Sequence, residues 1–194
     1  GNQPYSIGIG DFNHDGILDL VAANYTSNSA SVLLNDGDGT FASAVHYTVA
    51  NNPFGVAIED YNGDGYADIA TSSFAGSSVS VLLNDGDGTF ATKVDYSVAT
   101  QPRGVDAADV NGDGFPDIVA ANNGSDSVSV LINDGDGTFA TKVDYATGVD
   151  PVGVSIGDVN GDGHPDIAVA NSGAATASVL LNNGNGTFGA KTDF

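Results

Sequence analysis

Four side chains within nine residues, Asp11, Asn13, Asp15 and Asp19, put oxygen donors at positions one, three, five and nine of the stretch DFNHDGILD, with Gly16 at position six. Donors on alternate residues around a glycine turn suit a hard divalent cation, because Ca²⁺ takes about six to eight oxygens and the chain must bend sharply to aim them inward. The carbonyl of Ile17, at position seven, supplies one more. The stretch returns as DYNGDGYAD, offering Asp60, Asn62, Asp64, the Tyr66 carbonyl and Asp68, and again as DVNGDGFPD, offering Asp109, Asn111, Asp113, the Phe115 carbonyl and Asp117. A fourth copy, DVNGDGHPD, offers Asp158, Asn160, Asp162, the His164 carbonyl and Asp166. The copies begin at residues 11, 60, 109 and 158, a constant spacing of 49. The expected cofactor is therefore Ca²⁺, about four ions per chain. A metal-free turn would not need three carboxylates held against their mutual repulsion, and Mg²⁺ demands a stricter octahedron and keeps its waters. His14 and His164 lie at positions four and seven of their loops, where the side chain is not expected to be a ligand.

Loops of this kind need short elements to hold their ends together, and the repeat shows which. Pro4, Pro53, Pro102 and Pro151 open the units, and Asn35, Asn84, Asn133 and Asn182 begin a second shared turn. The chain reads as a single domain, 1–194, with repeats at about 1–49, 50–98, 99–147 and 148–194. Within a unit the apolar residues alternate between Gly, Asn and Asp clusters, the mark of short strands joined by hairpins. In the third unit the strands are expected at Gly104–Asp109, Asp117–Ala121, Ser127–Ile132 and Phe139–Tyr145, with Phe139, Thr141, Val143 and Tyr145 on one face. No segment keeps a helical period, so the class is all-β. Four antiparallel strands in a repeat of this length describe a β-propeller blade. The small residues of GVDAAD and GVSIGD suit the crowded inner strand, and Lys93, Lys142 and Lys191 suit an outer edge, where charge discourages pairing with another sheet.

The loop, the following DIVAAN and the segment VSVLINDGDGTF together resemble the FG-GAP/VCBS repeats of integrin α-like propellers, fungal propeller lectins and exported bacterial proteins. The resemblance covers essentially the whole chain. It implies calcium-binding blades with the metal loop between the first and second strands, and ligands held on the opposite face or between blades. One departure stands out, because family propellers usually carry seven blades and this chain has four. Closing four alone would need about 90° per blade, whereas eight need about 45°. A homodimer completing eight blades is the favoured expectation, a closed four-bladed monomer the second, and an open arc the third because it leaves two apolar faces in water.

Charge excludes several functions. With 25 acidic residues against 4 basic ones the net charge is −21, and twelve of the acids belong to the four loops. A phosphate backbone or an anionic membrane surface is held through clustered Lys and Arg, so neither nucleic acid nor membrane is an expected partner. No apolar run approaches membrane-spanning length. There is no cysteine, hence neither disulfides nor thiolate chemistry. Loops of modest calcium affinity would fill outside the cell, so an extracellular or cell-surface location is expected for what reads as a segment of a longer exported protein. Serine is scattered through the sequence without a His and an acid at any suggestive spacing, and the only paired carboxylates are those calcium would engage. No enzymatic activity is expected.

Differences between units point to binding instead. The calcium loops and the NDGDGT turns share one end of the blades and hardly vary. Aspartate pairs in those turns (Asp36 with Asp38, Asp85 with Asp87, Asp134 with Asp136) become Asn183 and Asn185 in the fourth, which a tight turn tolerates and a second cation site would not. At the other end the units carry Tyr5, Phe54, Arg103 and Val152 after the proline, and Tyr25, Phe74, Asn123 and Ser172 after the second strand. Rings beside polar loops hold sugars or protein surfaces, so Tyr5, Tyr25, Phe54, Phe74 and Arg103 are the candidate ligand residues, with a glycan or a surface protein as the partner. Ordinary packing between blades is the competing account of the same rings, and a purely structural repeat segment or a fragment of a polysaccharide-active propeller are the alternative functions.

Overall fold

The computed structural model describes residues 1–194, in sixteen strands and no helix. The first blade contains β1 (Pro4–Gly10), β2 (Asp19–Asn24), β3 (Ser29–Leu33) and β4 (Val45–Thr48). The second contains β5 (Pro53–Glu59), β6 (Asp68–Ser73), β7 (Ser78–Leu82) and β8 (Val94–Ser97). β9 (Pro102–Ala108), β10 (Asp117–Asn122), β11 (Ser127–Leu131) and β12 (Val143–Ala146) make the third. β13 (Pro151–Gly157), β14 (Asp166–Asn171), β15 (Thr176–Leu180) and the short β16 (Thr192–Asp193) make the fourth. Each blade is a four-stranded antiparallel sheet in sequential order, as the alternating pattern requires.

The first strands pack side by side, β1 on β5, β5 on β9 and β9 on β13, which places them innermost. Their glycines explain how the blades come so close. A Cβ on Gly104 would stand 2.9 Å from the Gly153 Cα, and one on Gly55 would stand 2.6 Å from the Arg103 carbonyl. No side chain fits there, so the small residues of the first strands are a packing requirement.

The core lies between blades. Val56, Ile58, Ile69 and Leu82 of the second blade pack against Phe12, Val21 and Val32 of the first, and equivalent clusters fill the two later junctions. Because strand residues alternate faces, each blade uses one face toward its predecessor and the other toward its successor. The end blades therefore keep one face open: Ile7 and Ile9 of β1 are 62% and 59% exposed, Val159 beyond β13 is 58% exposed, and a Cβ on Gly153 or Gly157 would meet nothing. The four blades of one chain form an open arc, which both the eight-bladed pair and the isolated arc require, and the closed four-bladed ring is not formed.

One strand differs from expectation. Residues 139–142 are not part of a strand. Phe139 forms only an isolated bridge with Asn133 and turns inward against Tyr61 and Tyr96 of the second blade, at centroid distances of 5.7 and 5.1 Å. Tyr145 instead meets Phe188 of the fourth blade at 5.4 Å. Phe139 and Tyr145 thus serve opposite junctions, because the chain crosses the blade edge between them, and the alternation counted from Phe139 does not carry through.

Candidate functional site

Both hairpin connections at the uniform end are built from side-chain oxygens accepting backbone N–H bonds. In the first loop the Asp11 carboxylate accepts from the amides of Asp15 and Gly16 at 3.1 and 2.9 Å, and Asn13 Oδ1 accepts from Asp15 N at 3.2 Å. Asp15 Oδ1 accepts from Ile17 N at 2.8 Å, and its other oxygen accepts from Asn13 Nδ2 at 2.9 Å. The pattern repeats around Asp60, Asp109 and Asp158, where the N–H of the position-four glycine adds a bond of 2.7–2.8 Å. Bonds of this kind, chiefly from Gly163 N, hold the Asp158 carboxyl below the ordinary aspartate range. His14 occupies the glycine position at φ 59° and stands edge-on to Tyr66 at 5.3 Å, outside the donor set.

Each loop thus gathers two carboxylates and an amide oxygen on one short arc. No group of three or more acidic, His or Cys side chains is drawn together around one point. The donors are all oxygen and largely anionic, and in chemistry they suit a hard cation.

The position-nine aspartates have a further role. Asp19, Asp68, Asp117 and Asp166 are fully buried. Asp117 accepts from Val110 N at 3.0 Å and Asn133 N at 2.8 Å, which ties the first loop of the blade to its second turn, and the other three do the same. Burial pushes Asp68 and Asp117 up to about 6 despite those N–H bonds.

The second turn is a hydrogen-bonded turn, as its Asp-to-Asn exchange implied. Asp38, Asp87 and Asp136 each accept from a Thr hydroxyl at 2.6 Å and lie below the usual carboxylate range because of it. Its opening Asn has a role that sequence reasoning missed. Asn133 Nδ2 donates to Pro116 O of its own blade at 2.9 Å and to Tyr61 O of the preceding blade at 2.8 Å. Asn84 and Asn182 likewise reach Phe12 O and Val110 O, at 2.9 and 2.8 Å. An Asn in all four units, where neighbouring Asp positions exchange, was the available signal.

At the opposite end, the connections before the first strand turn through left-handed residues, Gln3, Asn52, Gln101 and Asp150, at φ 52–57°. Their carbonyls accept from Tyr25, Phe74, Asn123 and Ser172 N–H groups, which fixes the variable residues side by side. All five candidate ligand residues come together. Tyr5 stacks on Phe54 at 4.7 Å and 28° and approaches Tyr25 at 5.0 Å, while Tyr25 meets Phe74 at 6.4 Å. The Arg103 guanidinium lies 5.5 Å from the Phe54 centroid and 5.4 Å from that of Phe74, within cation–π range. Its Nε is buried without a hydrogen-bond partner. The rings of the first two blades and Arg103 of the third therefore form one cluster across three blades, and Tyr5 remains 55% exposed. Packing between blades and an open aromatic surface coexist here.

On the fourth strands, His46 Nδ1 lies 2.7 Å from Ser31 Oγ, and its counterparts Asp95, Asp144 and Asp193 accept from Ser80, Ser129 and Ser178 at 2.6 Å. Lys93, Lys142 and Lys191 pair with those same aspartates.

An FG-GAP-like repeat model matches the chain four times, over residues 11–71, 60–120, 109–169 and 158–194. No curated protein sequence matches it. Among solved structures, an Agrocybe aegerita lectin that specifically recognises non-reducing terminal N-acetylglucosamine is 27% identical with a TM-score of 0.64, aligned over 95% of this chain and 50% of that one. BBS1N, in its complex with ARL6DN, is 13% identical with a TM-score of 0.68, over 100% and 57% of the two chains. Virginiamycin B lyase from Staphylococcus aureus is 14% identical with a TM-score of 0.66, over 98% and 55%. The last two likenesses concern the fold alone, and the chain spans about half the length of the structures it matches.

Proposed function

The chain belongs to the FG-GAP-like repeat family, and on that footing we propose that it is a calcium-stabilised, extracellular binding module that recognises carbohydrate through its variable end. The observation that carries this reading is the cluster of Tyr5, Tyr25, Phe54 and Phe74 around Arg103, with an exposed ring at its margin. A sugar offers an apolar C–H face to such a ring and hydroxyls to a guanidinium, and both surfaces are present within one patch. The likeness to a lectin that recognises terminal N-acetylglucosamine supports a glycan over a protein partner.

Calcium serves the scaffold in this reading. Asp11, Asn13, Asp15, the Ile17 carbonyl and Asp19 would hold one ion, and the equivalent residues of the other loops would hold the rest. When bound, the cation supplies positive charge that cancels repulsion among the loop carboxylates. The chain's own residues fix the loop: Asp19 ties it to the second turn, and Gly16, at φ 83°, makes the bend.

The test is a glycan array with calcium present, followed by titration of the best binder against Tyr5→Ala and Arg103→Ala. Binding weakened at least about tenfold by either substitution is the expected result, since a lost ring or guanidinium contact is commonly worth more than about 1.4 kcal/mol. A second reading, a structural spacer, draws on the stacking of the rings upon one another, and it expects both variants to match the unsubstituted protein. Background signal across the array would overturn the carbohydrate reading.

A further inference from the structure

The three junctions inside the chain are built alike. At each, the second-turn Asn donates across to the preceding blade, as Asn84 does to Phe12 O. The Phe that closes the same turn stands edge-on to a fourth-strand Tyr of the preceding blade: Phe90 to Tyr47 at 5.2 Å, Phe139 to Tyr96 at 5.1 Å, Phe188 to Tyr145 at 5.4 Å. The second glycine of the turn sits on an aliphatic side chain and an Asn of the preceding blade, as Gly88 sits on Leu34 and Asn13.

The two open faces carry the separated halves of this junction. On the first blade, Asn35 Nδ2 donates to Leu18 O of its own blade and to no other blade, Phe41 is exposed, and a Cβ on Gly39 would meet nothing. On the fourth blade, Phe194 stands where Tyr47, Tyr96 and Tyr145 stand in theirs, and Leu181 where Leu34, Leu83 and Ile132 do. Both are exposed, while those aliphatic counterparts pack against the following blade. Val159, exposed, takes the position at which Phe12, Tyr61 and Val110 are fully buried. The half presented by the first blade therefore matches the half presented by the fourth, feature by feature.

We propose that a second copy of this chain covers these faces, the fourth blade of each copy seated on the first blade of the other, so that two copies close a ring of eight blades. The two contacts are related by a two-fold axis, so with two copies the pairing closes on itself and leaves no apolar face in water. Eight blades lie at the upper end of the usual propeller range of about four to eight. In the ring, Asn35 donates to the partner copy's carbonyl at position 159, and Phe41 meets the partner's ring at position 194, repeating the contacts of the three internal junctions. This inference is independent of the ligand reading and leaves the aromatic patch at the ring's end.

The test is light scattering of the full chain in calcium and physiological salt, where the ring has twice the 19.4 kDa of one chain. Ile7→Asp alters only the first blade's open face and Leu181→Asp only the fourth's, at positions already exposed in the single chain. Each alone should weaken association at least about a hundredfold, because it buries an unpaired carboxylate at both contacts of the ring. Circular dichroism of the two variants should match that of the unsubstituted chain, which separates lost association from lost folding. Mixing the two variants restores one intact contact, and a dimer of reduced affinity is expected. A monomer mass for the unsubstituted chain would overturn the proposal, and so would open-ended growth with concentration. A dimer abolished by Ile7→Asp but indifferent to Leu181→Asp would point to pairing through first blades alone and would overturn it as well.

Discussion

Replacing Asn133 with Ala should cost far more stability than its short side chain suggests. The residue is 2% exposed and makes three bonds: to Tyr61 O at 2.8 Å, to Pro116 O at 2.9 Å, and from Gly135 N at 2.9 Å. Alanine leaves all three backbone groups unpaired. The Tyr61 carbonyl is buried at the blade junction, where an unmade bond costs about 1–3 kcal/mol. The groups at Pro116 and Gly135 are only partly buried and can recover water, at roughly 0.5–1 kcal/mol each. The sum is about 2–5 kcal/mol, a large part of the 5–15 kcal/mol usual for a domain. Thr138→Ala provides a control in the same turn, because it removes a shorter bond, 2.6 Å to Asp136, whose partners are exposed and regain water, so it should cost much less than Asn133→Ala. Urea unfolding of both variants in calcium, compared by midpoint and slope, measures the difference. Equal losses, or less than about 1 kcal/mol for Asn133→Ala, would refute the claim that buried amides tie neighbouring blades together.

Three further outcomes follow from the same geometry. In metal-free protein, Asp68 and Asp117 titrate at about 6, raised by burial. A raised carboxyl favours folding while protonated, so their contribution is present below pH 4 and is lost as pH rises through about 6. The lowered aspartates, Asp38, Asp87, Asp136, Asp158 and Asp193, act in the opposite sense but below pH 4. The urea midpoint of the dialysed protein should therefore fall between pH 4.5 and 6.5, and a rising midpoint would contradict the assignment. Gly104→Val should destabilise by at least about 1–3 kcal/mol, because its Cβ meets backbone 2.9–3.1 Å away, and a thermal midpoint unchanged from the unsubstituted protein would count against the close approach of β9 and β13. His14→Gly should raise the melting temperature slightly, by relief of a left-handed non-glycine residue worth up to about 1 kcal/mol.

Much of this architecture was legible because each repeated residue answers a local demand. Alternation gave the strands, and glycine beside alternate Asp and Asn gave the loops; both depend on near neighbours in sequence. What escaped depends on contacts between repeats. Asn133 and Tyr61 are 72 residues apart, and nothing local to either says that an amide crosses from one blade to the next. The reach of Phe139 toward the second blade and Tyr145 toward the fourth is hidden for the same reason, since alternation holds only while the chain stays in the sheet. Position nine looked like a ligand alone, yet the oxygens of Asp117 already close the blade through Val110 and Asn133. Tyr5, Tyr25, Phe54, Phe74 and Arg103 were found as departures between units, but only the fold places the guanidinium over the rings of Phe54 and Phe74. Closure is not legible within one repeat, because two apolar end faces belong equally to an isolated arc and to half of a larger ring.

Whether calcium holds these blades in shape is read from thermal melting of the chain in excess EGTA and in calcium a hundredfold above the dissociation constant. Each filled site would add about 2.7 kcal/mol by mass action, and a chain of this size gains about 2–4 °C per kcal/mol. With about four sites filled, calcium should raise the midpoint by more than about 10 °C. Superimposable melting curves with and without chelator would contradict it.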